Sequence, residues 1–207
     1  GSYGAGLTRH LTSLGHQVIE VIRPNRQLRR MSGKSDPIDA YAAAKTALAK
    51  ADQPTPKAGD GIVEQIRYLF TARRSAIKAR TAAQVQLKSL LVTAPTFLRE
   101  RFRDVTDVAL ITGLADFDIR PYPEHQGTVI ALRLLARRHR YLATEIRALD
   151  QELETLTAYV NPALIAAAGV GPVTAAQLLI TAGDNPDRLR SEAAFAALCG
   201  ASPIPAS

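Results

Sequence analysis

Leu135, Leu142, Leu149 and Leu156 recur every seven residues, and Ile146 and Leu153 fill the offset positions. At 100° per residue these six side chains fall within about 80° of arc, which predicts one long amphipathic helix over 124–158. Arg133, Arg137, Arg140 and Arg147 occupy a similar arc on the opposite side. One face is suited to pack against a helix, and the other presents guanidinium groups. Those groups have two readings, a nucleic-acid contact or a solvated back face. A second helical pattern runs from Gly61 to about Ala94 and is interrupted by Pro95. Two long helices in this order predict an antiparallel, coiled-coil-like hairpin.

The flanks of this hairpin are shorter and more varied. Residues 3–14 read as a short helix closed by Gly15. Val18, Ile19, Val21 and Ile22 form a β-branched run, read as a strand ended by Pro24. Asp36 as N-cap and Pro37 at the first helical position start a helix that continues to Lys50. One strand cannot make a sheet. The first 53 residues therefore look like the edge of an α/β domain whose other strands lie upstream of Gly1. Residues 52–60 form a Pro/Gly linker. Phe97 to about Thr112 reads as a helix, followed by a loop from 113 to 123. Asn161-Pro162 breaks the chain again, and two apolar helices then flank a tight turn at Gly169-Val-Gly171-Pro172. A last helix is expected over about 187–199. The expected fold is mainly α in three parts: 1–53, a helical hairpin region 54–160, and a small helical domain 161–207.

Charge narrows the function. The 207 residues carry 26 Lys+Arg against 19 Asp+Glu, a formal net charge of +7. The basic groups come in runs free of intervening acid: Arg23, Arg26, Arg29, Arg30 and Lys34, then Arg67, Arg73, Arg74, Lys78, Arg80, Lys88 and Arg99. Such runs suit a polyanion, nucleic-acid phosphates first. The 46% hydrophobic content excludes a disordered chain. No apolar stretch of membrane-spanning length and no secretory leader is present in the sequence. The single Cys199 excludes a disulfide framework and fits a reducing cytoplasm. The first residue is not Met, and the last follows a Pro-rich run. Both ends read as cuts through a longer protein.

Three motifs carry candidate chemistry. Gly169-Val170-Gly171-Pro172-Val173-Thr174 resembles a helix-hairpin-helix turn. Its glycines permit a tight bend, and the outward amides of the next helix suit a phosphate. Residues 161–207 hold only 2 basic and 3 acidic groups, so Gly169, Gly171 and Thr174 would act through backbone amides. The alternative is an ordinary helix connection with a glycine C-cap. Asp36 and Asp39, three apart at a helix start, project to one side. They suit a hard divalent cation, and equally they suit a helix N-terminus with no metal. Ser207 ends the Pro-rich run and by itself is a loop serine.

Gly1-Ser-Tyr-Gly-Ala-Gly-Leu, Lys34-Ser-Asp-Pro-Ile-Asp-Ala, Ala168-Gly-Val-Gly-Pro-Val-Thr-Ala and Phe195-Ala-Ala-Leu-Cys-Gly-Ala-Ser-Pro, in this order, span essentially the whole chain. Together they resemble the DEDD transposases of bacterial insertion sequences, relatives of the Piv-type DNA invertases. The resemblance implies a RuvC-like, RNase H-type domain at 1–53 that holds Mg²⁺ with an Asp-Glu-Asp-Asp set. Asp36 and Asp39 match its last two members, and the first two would lie upstream of this chain. It implies a coiled-coil region that mediates self-association, and a C-terminal domain whose serine, best matched by Ser207, attacks DNA. It implies DNA as partner, admits a guide RNA, and places the protein in the bacterial cytoplasm at the nucleoid. Arg29, Arg30, Lys34, Arg74, Lys78, Arg133, Arg137 and Arg140 are then the candidate nucleic-acid contacts. With half its carboxylates missing, this chain alone is expected to be inactive. The rival reading is a non-enzymatic helical module for nucleic-acid binding or dimerisation.

Overall fold

The structure, a computed structural model, describes residues 4–21, 36–49, 59, 61–184, 189 and 191–201. Among them are nine α-helices: α1 (Ala5–Ser13), α2 (Asp36–Ala49), α3 (Ile62–Val92), α4 (Thr96–Arg101), α5 (Asp107–Ala115), α6 (Gln126–Val160), α7 (Pro162–Ala166), α8 (Pro172–Ala182) and α9 (Glu192–Leu198). A 3-10 turn at Pro123–His125 leads into α6. The chain divides into two compact units, one of residues 1–64 with 179–207 and the other of residues 65–178. No helix of the described residues is long and apolar enough to cross a membrane.

In the first unit, Gly15 closes α1 as expected. Its φ of 81° is accessible to glycine at little cost. The Gly15 N–H donates to the Thr12 carbonyl at 3.0 Å, and the His16 N–H donates to that of Leu11 at 3.0 Å. These two bonds satisfy carbonyls that the helix end would otherwise leave open. The expected strand is not formed: Val18–Val21 have no regular secondary structure, and Ile22 lies outside the described residues. A β-branched run becomes a strand only where a neighbouring strand completes the ladder, and the described residues contain none. α2 begins at Asp36 itself, one residue earlier than the capping pattern suggested. α9 begins at Glu192, not near 187. There Ser191 caps it, its hydroxyl oxygen accepting from the Ala194 N–H at 3.1 Å. Residues 187, 188 and 190 of the expected helix lie outside the described residues.

α3 and α6 dominate the second unit, and they run antiparallel. Arg73, early in α3, pairs with Asp150, late in α6. Leu87, late in α3, shares a core with Leu132 and Ala136, early in α6. That core is closed by α4 and α5 through Leu98, Leu110, Ile111 and Leu114, and by Phe117 in the following loop. Beside it the Phe97 and Tyr122 rings stack with centroids 4.1 Å apart.

The single helix expected over 97–112 is two helices. Asp104 has a φ of 57°, which no right-handed helix accommodates. Thr106 then caps α5 by accepting from the Ala109 N–H at 3.3 Å. The break folds the Phe102 ring over Gly113, where an added Cβ would lie 2.7 Å from the ring.

The buried face of α6 is also displaced from the heptad leucines. Its fully enclosed side chains are Val129, Leu132, Ala136, Leu153 and Thr157. Leu135, Leu142, Leu149 and Leu156 are half-buried. A heptad seam needs one partner helix along its whole length. Here the first half of α6 packs on α5 as well, which turns its contact face toward the arginines.

Candidate functional site

Asp36 and Asp39 both lie in the first turn of α2, where the helix dipole favours carboxylates. Asp36 is exposed and Asp39 half-buried. Their oxygens are the donors that Mg²⁺ takes. No third His, Cys, Asp or Glu joins them in a metal-holding group among the described residues. The pair therefore has the right chemistry for the ion but supplies only part of its shell. Arg29, Arg30, Lys34 and Ser207 lie outside the described residues.

The turn between α7 and α8 has the backbone that its glycines suggested. Gly169 has a φ of 80°. Gly169, Gly171 and Thr174 are all exposed. Pro172 opens α8, and the Gly171 carbonyl accepts its first helical bond, from the Ala175 N–H at 2.9 Å. α7 is five residues long and starts at Pro162. Asn161 caps it, its side-chain oxygen accepting from the Leu164 N–H at 2.9 Å. The glycine-rich turn is thus joined to the end of α6 through one short helix.

The candidate arginines and lysines divide by what they touch. Arg74 and Lys78 are exposed on α3 and have no acidic partner among the described residues. On α6, Arg137 Nε–H donates to the Ala115 carbonyl at 2.8 Å. Arg140 pairs with Asp116 at 2.8 Å. Arg133 is half-buried, and its Nε has no hydrogen-bond partner. Two arginines of the α6 stripe thus hold the C-terminal end of α5, where a carbonyl and a carboxylate are the natural partners of a cation.

The same turning of α6 builds a feature that sequence reasoning did not single out. Arg80 of α3 meets His139 and Arg147 of α6 in one cleft, beside Asp107 of α5. Burial lowers the His139 pKa below its ordinary value, Arg80 lowers it further, and Asp107 opposes both. The 3.6-residue period gives each helix its own faces. Only the antiparallel register, with residue 73 against 150, shows that 80 faces 139–147.

Two family models match this chain. The DEDD IS110-type model, described as Transposase, matches residues 1–96. The model described as Transposase IS116/IS110/IS902 family matches residues 161–207. No curated protein and no solved structure matches. Taken together the two models cover about two-thirds of the sequence and define a transposase. The chain belongs to the IS110-type insertion-sequence transposases.

Proposed function

We propose that this chain carries parts of the machinery that cuts and rejoins DNA during transposition of a bacterial insertion sequence. Residues 1–53 would belong to a RuvC-like catalytic domain, 54–160 to a helical region through which copies associate, and 161–207 to a serine-bearing domain. The observation that carries this reading is the carboxylate pair on the first turn of α2, inside the segment matched by a DEDD transposase model.

Asp36 and Asp39 would hold Mg²⁺ together with further carboxylates. When bound, the ion neutralises charge at the scissile phosphate. Ser207 is the candidate nucleophile. Its Oγ bonds to phosphorus as the bond to one deoxyribose oxygen breaks, giving a phosphoserine and a strand with a free hydroxyl. Attack by a strand hydroxyl on that phosphoserine reverses the exchange and frees the serine. No oxidant or energy source is needed, because each bond broken is replaced by one of the same kind. Exposed amides near Gly169, Gly171 and Thr174 would steady the sugar–phosphate backbone. Arg74 and Lys78 would add contacts that do not read sequence. Arg29, Arg30, Lys34, Arg133, Arg137 and Arg140 remain candidates for the same role. DNA is the partner on this reading, a guide RNA is a second, and the bacterial cytoplasm is the setting. Two carboxylates hold Mg²⁺ weakly, so the 207 residues alone are not expected to cleave DNA.

The test is strand transfer by the element-borne protein with Asp36→Asn, Asp39→Asn or Ser207→Ala. Loss of transfer in all three is expected, with loss of the covalent protein–DNA adduct in Ser207→Ala. Normal transfer in an aspartate variant removes the metal role. An adduct that persists in Ser207→Ala removes the nucleophile assignment.

A further inference from the structure

The cleft between α3, α5 and α6 has a volume of about 450 Å³, within the roughly 300–1,000 Å³ typical of small-ligand sites. Its charges do not balance internally. Arg80, Arg140 and Arg147 reach it, and its one carboxylate is Asp107. Asp107 is already engaged by Lys88 at 2.6 Å and by the Gln84 amide at 2.6 Å. Arg140 is engaged by Asp116 at 2.8 Å. Arg80 and Arg147 have no acidic partner among the described residues. Arg147 is nevertheless held in place along its own helix, donating to the Ala143 carbonyl at 3.3 Å and the Thr144 hydroxyl at 3.1 Å. A pre-oriented guanidinium and a second one from another helix, sharing a concave surface, attract an anion strongly.

The remaining walls say which kind of anion. Val108, 77% exposed, and the buried Ile111 give the cleft an apolar side. A free inorganic anion has no use for such a wall, whereas the face of a nucleobase does. In a duplex the bases are paired and turned inward, so none can lie with its face against the cleft's apolar wall. An unpaired nucleotide can place its base against Val108 and Ile111 and its phosphate between the guanidinium groups.

We propose that this cleft binds one unpaired nucleotide of a nucleic-acid strand, with Arg80 and Arg147 gripping its phosphate. The proposal rests on the nucleic-acid reading above and deepens it by naming a site and the state of the strand. Arg80 and Arg147 lie 67 positions apart in the sequence, on α3 and α6, and neither is among the residues of the apolar core. Removing them should therefore leave the fold intact.

The experiment uses the full 207-residue chain with labelled histidines. The His139 ring signals, assigned by their loss in His139→Gln, report the cleft. Four probes are titrated at low salt: a single-stranded DNA 12-mer, an RNA 12-mer of the same sequence, a DNA duplex, and inorganic phosphate. Binding of either single strand should shift His139. Arg80→Gln with Arg147→Gln should abolish that shift and weaken strand binding about tenfold, lowering the salt slope by about 0.7, the value for one neutralised phosphate of a single strand. Arg80→Lys with Arg147→Lys should restore most of the affinity. A strand that binds while His139 stays unmoved, or binds the Gln double variant as tightly, overturns the cleft and leaves the nucleic-acid reading standing. A duplex that shifts His139 as far as the single strand overturns the unpaired state. Phosphate that moves His139 where no strand does makes the cleft a small-anion site and overturns the proposal. Failure of every nucleic-acid probe to bind overturns this proposal and the nucleic-acid reading together.

Discussion

Arg73 of α3 and Asp150 of α6, 77 positions apart in the sequence, are joined by a hydrogen bond from the Arg73 Nε–H to the Asp150 carboxylate. The Arg73 side chain is 18% exposed and that of Asp150 is 41% exposed. Pairs with this degree of water contact contribute about 0.2–1 kcal/mol. Asp150→Ala should therefore cost about 1 kcal/mol in urea unfolding. A double-mutant cycle with Arg73→Ala should return a coupling of about 0.5–1 kcal/mol. A coupling near zero would mean that apolar contacts alone set the register of the two long helices.

Asp184 acts on a backbone amide 121 positions before it, in the first turn of α3. Its carboxylate accepts from the Val63 N–H at 3.0 Å and so caps α3. Gly61 leaves the room for this, because a Cβ there would collide with the Asp184 carboxylate. Loss of such a cap costs about 0.5–2 kcal/mol. Asp184→Ala and Gly61→Ala should each lower Tm, and the double variant should be little worse than either alone. Full additivity of the two would sink the capping assignment.

Gly113 sits inside α5, where alanine would ordinarily gain about 1 kcal/mol of helix propensity. Against that, its Cβ would lie 2.7 Å from the Phe102 ring, and the ring packs on the buried core. Overpacking of this kind costs about 1–3 kcal/mol. Gly113→Ala should therefore be destabilising by about 1 kcal/mol. A rise in Tm would show that the Phe102 ring moves aside freely.

His139 makes stability depend on pH in a definite direction. Burial, then Arg80, lowers its pKa below 6.5, with Asp107 opposing. Arg140 and Arg147 line the same cleft. The unfolded chain therefore binds this proton more readily than the folded one. The contribution of His139 is fully present above about pH 6.5 and is lost as pH falls through the lowered folded value. His139→Gln should flatten the fall in urea midpoint between pH 7.5 and 5.5 relative to the parent chain. An unchanged slope would assign the pH dependence to other groups.

Much of the helical layout was legible because helix formation is a local matter of period, caps and breakers. The leucine repeat marked α6, Pro95 ended the α3 pattern, Gly15 closed α1, and Asn161-Pro162 separated α6 from α7. The acidic pair at Asp36 and Asp39 and the tight turn at Gly169 could be located from residue type and spacing alone. The division of 97–112 into α4 and α5 was not legible, because it depends on Phe102 finding Gly113. Nor was the absence of a strand at Val18–Val21, since a strand is completed by neighbours that local pattern does not supply. The use of each basic residue was decided only by tertiary structure. One helix period sets Arg137, Arg140 and Arg147 on one side of α6. The neighbour each meets is set by how α5 and α3 pack there, so Arg137 and Arg140 hold the end of α5 while Arg147 joins Arg80 at the cleft.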